Sequence, residues 1–344
     1  MAIVTNGKYY RFKSFIDSKY LNIYTDGALA NKKNVCTYDL VSNDLAQVWK
    51  VENHSGFGCT HSMMKSAKNT SFALDHWRGT DNHDNADIYT IGTQLIDLKD
   101  QWVEFESVNN NWYRIKLKYQ DGEGNYLYLT VDTSTTPHNV KWTVFTGYSN
   151  QWWFREEISN CLTYPCQTMR ITQRHDGSTS HIGGATGTPH DYAIDEGCDD
   201  SGRSYMYCPC DEMEIIRLYG VGNSGTNTIW LRSTSPVLTP IGIDYIVMMV
   251  THPLDDDLSA LYVGQTFSRG EPMFREGNDG NATGYHFHIS MGLGNITGNG
   301  WAQNSNGVWV LTTTGNTIKV NEAFYVDSSF TTILNANGYT FMPV

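Results

Sequence analysis

The chain has no run of eighteen or more apolar residues, which excludes a helical membrane span of ordinary length. Charge is scarce at 17% of residues, and bases are the scarcer sign. The 24 Lys and Arg stand against 36 Asp and Glu, a formal net charge of −12. A generic electrostatic grip on nucleic acid or an anionic membrane is therefore not expected. The opening stretch, MAIVTNGKYYRFKS, has no basic segment leading into an apolar one, so no secretory signal is expected. No His-Glu-x-x-His segment occurs, which removes the helical zinc-protease route. The seven cysteines (36, 59, 161, 166, 198, 208 and 210) are an odd number for a protein stapled throughout. Cys208-Pro-Cys210 lacks the two-residue spacer of a zinc knuckle and has no second pair like it. Buried thiols in a chain made in a reducing cytosol are expected.

What is present suits sheet. Hydrophobic residues make up 40% of 344 residues and aromatics 13%, enough for two packed cores. Plentiful Gly, Asn, Ser and Thr favour short strands joined by turns, so a mainly β fold is expected. The halves differ in charge. Residues 1–160 hold 18 acids and 16 bases, and residues 161–344 hold 18 acids and 8 bases, nets of −2 and −10. Two domains are expected, residues 1–158 and 159–344.

The first half repeats itself. Gln47-Val-Trp49, Gln101-Trp-Val103 and Gln151-Trp-Trp153 recur at intervals of 54 and 50 residues. Each closes a segment with an early apolar strand (Tyr20-Leu-Asn-Ile23, Phe72-Ala-Leu-Asp75, Tyr126-Leu-Tyr-Leu129) and a later strand led by Asn34, Asn85 or Asn139. Units of about fifty residues cannot each bury a sheet face alone, but three packed around a pseudo-threefold axis can. The pattern, over about residues 7–157, resembles the ricin-B-type lectin family, whose mark is Gln-x-Trp and whose fold is a β-trefoil. The second copy departs from it. Core packing is expected for Trp49, Trp102 and Trp153. The resemblance implies carbohydrate binding, for which an exposed aromatic and nearby carboxylates or amides are needed. Asp75, Trp77 and Asn85 are the candidates in the second unit, with Asp26 and Asn34 in the first and Asp132 and Asn139 in the third.

The second half concentrates histidine: His175, His181, His190, His252, His286 and His288. In His286-Phe-His288 a strand would place both imidazoles on one face and Phe287 on the other. Two histidines on a half-exposed strand would look the same. Asp195 ends an apolar stretch, Asp191-Tyr-Ala-Ile-Asp195, where a carboxylate needs a partner, although a turn aspartate is the plainer alternative. His252 ends the apolar run Tyr-Ile-Val-Met-Met-Val-Thr-His. In their order, Asp195, His252 and His286-Phe-His288 resemble the lysostaphin and LytM type of zinc endopeptidase, over about residues 168–292. Tyr207-Cys-Pro-Cys210, Asn227-Thr-Ile-Trp230 and the Gly-rich run before His286 fit the same order.

The first histidine departs from that family's short form. His190 precedes Asp195 by five residues, which puts the two on opposite faces of a regular strand. His181, in a Ser-His before a loop, is the preferred ligand. The resemblance then implies a zinc ion held by His181, Asp195 and His288. His252 and His286 would be the groups that position water and stabilise the oxyanion, and Asn227 would line the substrate groove. It implies a peptidoglycan hydrolase cutting stem or cross-bridge peptides, brought to its substrate by a lectin-like domain. Such a protein would be made in the cytoplasm and released by lysis or carried on a phage particle. A catalytically inactive wall- or glycan-binding component of a particle is the alternative. From about residue 293 onward a C-terminal β extension without catalytic residues is expected.

Overall fold

Strands such as Asn139–Val144, Thr168–Gln173 and Ile194–Glu196 show why the chain forms sheet: each second side chain is driven into a core and its neighbours are left further out, while strands such as Leu127–Asp132 and Ile246–Thr251 are buried on both faces. The computed structural model describes residues 4–25, 27–41, 44–56, 59–76, 84–109, 111–174, 182–183, 188–189, 193–197, 202–223, 225–280, 282–304, 309–336 and 342–343. Among them the α-helices, Leu95–Leu98 and Asp255–Leu258, are single turns, and the fold is mainly β. The chain divides into two compact units, Met1–Ser159 and Asn160–Val344.

In the first unit six strands close a barrel. Lys8–Ser14 pairs with Trp49–Gly56, that strand with Cys59–Ser66, and the next with Trp102–Ser107. Trp112–Leu117 and Trp153–Ile158 follow, and the last pairs back with the first. Three hairpins cap it: Tyr20–Ile23 with Lys33–Tyr38, Phe72–His76 with Ala86–Thr90, and Leu127–Asp132 with Asn139–Val144. The caps interlock in a cyclic pattern. Asn34 faces Asp87, Asn85 faces Lys141, and Asn139 faces Cys36, so each repeat's asparagine meets the residue two beyond the next repeat's asparagine. This is a β-trefoil.

The repeated glutamines explain the threefold regularity. Each is fully or almost fully buried and bonds to the end of its own cap strand. Gln47 donates to the Asp39 carbonyl and accepts from the Val41 N–H. Gln101 does the same with Thr90 and Gly92, and Gln151 with Val144 and Thr146. A side-chain amide thus satisfies backbone groups that a ladder would otherwise leave unpaired. Trp49 and Trp153 enter the central core, their indole N–H groups donating to Leu21 and Leu129 carbonyls.

Trp102 is buried, but elsewhere. Its motif is shifted by one residue, and on a strand one residue reverses the face. Val103 therefore takes the central position, while Trp102 packs with Met63, Ala73 and Leu98 and against the His61 ring. Cys36, Cys161, Cys166, Cys208 and Cys210 are buried free thiols.

The second unit is built on a nine-stranded sheet in the order Thr266–Ser268, Glu212–Tyr219, Thr228–Ser233, Ile246–Thr251, Phe287–Leu293, Ile194–Glu196, Thr168–Gln173 and Thr332–Asn335, with Thr317–Ile318 also on Phe287–Leu293. Its inner face packs Ile215, Ile229, Leu231, Met248, Val250, Phe287, Ile289, Ile194 and Ile171 into one core. The opposite face is partly covered by the hairpin Ile296–Gln303 and Trp309–Thr313, which seals Trp230, Val247 and Met249. The C-terminal extension is thus part of this unit's packing.

Candidate functional site

Alternation decides which side chains leave the core. Phe287 and Ile289 point in, so His288 points out; Ile194 and Glu196 point in, so Asp195 points out. The register then aligns them. Tyr219 faces Thr228, Thr228 faces Thr251, Thr251 faces His288, and His288 faces Asp195, which faces Gln173. One straight row therefore crosses six strands.

Within it His288 Nδ1 lies 2.9 Å from Asp195 Oδ1, and Gln173 Nε2 donates to the other carboxylate oxygen at 3.1 Å. His286, just outside the strand, is tied by a bridge to Gly277 and brings Nε2 to 3.9 Å from Asp195 Oδ1. Its Nδ1 lies 2.9 Å from the Gly284 carbonyl, which can only accept, so Nδ1 is the donor in that bond.

His252 completes the group, its ring centroid 4.6 Å from that of His286 and 6.1 Å from that of His288. It holds φ at 84°, a left-handed conformation that costs a non-glycine residue energy. Three hydrogen bonds impose it: His252 N–H to Asn227 O, Asp279 N–H to His252 O, and Nδ1 to Asp279 O at 2.7 Å. Gly277 packs so closely on the His252 carbonyl that no Cβ would fit. Burial pushes the His252 imidazole down to about 4, and its two histidine neighbours push the same way. At neutral pH it is uncharged, with a lone pair on Nε2.

Asp195, His252, His286 and His288, singled out in the sequence, are therefore brought together. Oxygen and imidazole nitrogen are donors that zinc takes, and Asp195 Oδ1 and His288 Nδ1 stand at hydrogen-bond distance, 2.9 Å. Among the described residues no group of three or more donors is arranged to hold a metal. His181 and His190 lie outside the described residues, as does Trp77.

Asn227 differs from its expected place in a groove wall. It is 1% exposed, and its Nδ2 donates to Asp255 Oδ1 while its N–H donates to Asp279 Oδ2. It anchors the strand end that carries His252. Among the sugar-binding candidates, Asp75 is buried and Asn85 belongs to an amide chain on the pseudo-threefold axis, where Asn34 donates to Asn139 and Asn139 to Asn85. Burial, reinforced by Asp100, pushes the Asp75 carboxyl up to about 8.

Sequence reasoning missed Glu196. It is fully buried beneath Asp195, accepts from the Tyr164 hydroxyl and the Arg170 N–H, and is pushed by burial up to about 8. An acid beside an acid reads as loop, and only the register shows that the two part to opposite faces.

No protein-family model matches the chain. Morphogenesis protein 1 of Bacillus phage B103 is 23% identical over 251 residues, which cover 71% of this chain and 61% of that protein. The chain thus spans less than two thirds of that relative's length. Similar solved structures include the designed threefold-symmetric protein ThreeFoil, 20% identical with a TM-score of 0.34, covering 43% of this chain and 96% of that one. The Macrolepiota procera ricin B-like lectin in complex with lactose is 16% identical with a TM-score of 0.33, covering 45% and 99%. The earthworm R-type lectin C-half in complex with GalNAc is 17% identical with a TM-score of 0.31, covering 44% and 98%.

Proposed function

We propose that the chain is a wall-acting component of a phage particle: a zinc-dependent endopeptidase that cuts peptidoglycan peptides, with a trefoil that binds wall carbohydrate. The observation that carries this reading is the convergence of Asp195, His288, His286 and His252 at one end of the sheet. The B103 relative, named for morphogenesis, supports the place in a particle.

Asp195 and His288 would hold zinc with His181 as the third ligand, and the metal when bound supplies an activated water at neutral pH and polarises the scissile carbonyl. Gln173 orients the Asp195 carboxylate through its Oδ2. His286 and His252 each keep a proton on Nδ1 and present Nε2, the arrangement of a group that accepts a proton and returns it. Protonated, either imidazole also stabilises a developing oxyanion. Tethering through the trefoil raises the local concentration of cleavable bonds on an insoluble polymer.

Purified wall incubated with the protein, with and without a zinc chelator, tests the reading. New peptide termini that vanish on chelation and return with zinc support it, and new reducing ends sink it. A second reading, a non-catalytic wall-binding component, draws on the same relative's name. It is the one left standing if no wall is cut and no zinc is retained.

A further inference from the structure

Along the row of six strands, the end opposite Gln173 is Tyr219, and beside it stands an aromatic step that the proposed chemistry does not use. Tyr219 meets the Trp301 ring edge-on at 4.9 Å, and Trp301 meets Trp309 at 5.5 Å. Tyr219 is 43% exposed and Trp309 55%, a large apolar area for a surface to leave in water. The step is held rigidly from below. Trp230 is buried, packs edge-on against Trp301 at 4.9 Å, and donates its indole N–H to the Gly300 carbonyl. The Arg217 guanidinium lies over the Trp230 ring at 4.9 Å and near that of Trp301, and bonds to the Asn299 carbonyl. Gly300, with φ at 78°, lets the hairpin backbone descend onto Trp230 where a Cβ would not fit. Asn299 and Gln303 stand exposed on the same hairpin.

We propose that Tyr219, Trp301 and Trp309 form a second carbohydrate site, taking the flat face of a neutral N-acetylated hexopyranose in the glycan strand. Preorganised aromatic faces with amide groups on the same hairpin suit a ring whose C–H bonds line one face and whose polar substituents lie at its edge. Residues 161–344 carry a formal net charge of −10, which disfavours anionic polymers and favours an uncharged sugar.

The position of the step deepens the proposed peptidase reading and, in this respect, rests on it. Tyr219 and His288 are three strand spacings apart in the row, about 14 Å at 4.7–4.9 Å each. Extended peptide covers that span in about four residues. A sugar on the step thus places the cut at the far end of a stem peptide or in its cross-bridge, not beside the sugar.

Binding of a β-1,4-linked N-acetylglucosamine tetramer to the full chain, without added zinc, tests the site apart from any turnover. Indole N–H signals in NMR spectra, assigned with Trp301→Phe and Trp309→Phe, are expected to shift for Trp301 and Trp309. Trp309→Ala is expected to weaken this binding about 10-fold, the factor that about 1.4 kcal/mol of stacking represents, while Trp309→Phe retains most of it. Shifts at these two indoles in a protein that cuts no wall support the site and reject only the peptidase. Unmoved Trp301 and Trp309 signals in a folded protein at millimolar tetramer overturn the site, even if the trefoil binds sugar or wall is cut.

Discussion

Asp195 and His288 face each other directly across two antiparallel strands, and their nearest side-chain atoms stand 2.9 Å apart. Neither needs a loop to find the other, because the register that buries Ile194 and Phe287 also aligns this pair. Asp195→Asn and His288→Ala are each expected to lower zinc retention by at least the roughly 10–100-fold that loss of even an outer partner costs. Wall cleavage falls with it. Metal analysis after dialysis and muropeptide profiles check both, and full zinc occupancy in both variants would remove these residues from the ligand set.

Gly277→Ala acts one layer out. The added Cβ meets the His252 carbonyl and, at 2.9 Å, the Leu254 nitrogen, so the segment carrying the strained His252 must shift. A displacement near 1 Å costs up to about 100-fold in rate. Zinc content is expected to persist, because Asp195 and His288 lie on other strands. A variant as active as the parent would show that the position of His252 is unimportant.

In the trefoil, Gln151→Ala removes the buried amide that pairs the Thr146 N–H and that shares the Val144 carbonyl with the Thr143 hydroxyl. At about 1–3 kcal/mol for the orphaned N–H and about 1 kcal/mol for the lost bond to the carbonyl, the loss is expected to be about 2–4 kcal/mol. Melting should fall by about 5–15 °C for a unit of this size. Gln47→Ala should cost a similar amount, which a thermal melt followed by near-ultraviolet circular dichroism would show.

Asp75 gives the trefoil a pH-dependent stability. Its carboxyl sits at about 8 in the folded chain against an ordinary 3.8. The unfolded chain therefore ionises first as pH rises, and stability falls between about 4 and 8, by up to about 1.4 kcal/mol per unit, then levels. Asp75→Asn is expected to flatten that slope and to raise the melting temperature at pH 8 relative to the parent. Glu196 adds a slope of the same sign in the second unit, so the measurement is the difference between variant and parent. Identical slopes would show that Asp75 ionises normally.

Much of this arrangement was legible in the sequence. The three glutamines announced the repeat because each must reach the end of its own cap strand, 7 to 11 residues back along the chain. His286 and His288 announced a shared face because strands alternate, and Asp195, ending an apolar stretch, announced a carboxylate in need of a partner. The off-register Trp102 hid its destination, since only counting the motif one residue at a time shows that Val103 inherits the core position. Asn227 looked like a surface polar residue, and its burial depends on Asp255 and Asp279, which lie 28 and 52 residues further on. The left-handed turn at His252 depends on partners as distant, so no local pattern marks it.

The first and last strands of the trefoil, Lys8–Ser14 and Trp153–Ile158, lie side by side, with Tyr9 opposite Ile158 and Ser14 opposite Trp153. Some hundred and fifty residues of fold thus begin and end about one strand spacing apart. Seen from the rest of the polypeptide, the whole unit occupies little more room along the backbone path than a tight turn. It is a cassette: another module with neighbouring termini could take its place, or this one could be set into a surface loop, and the fold that receives it would not have to rearrange.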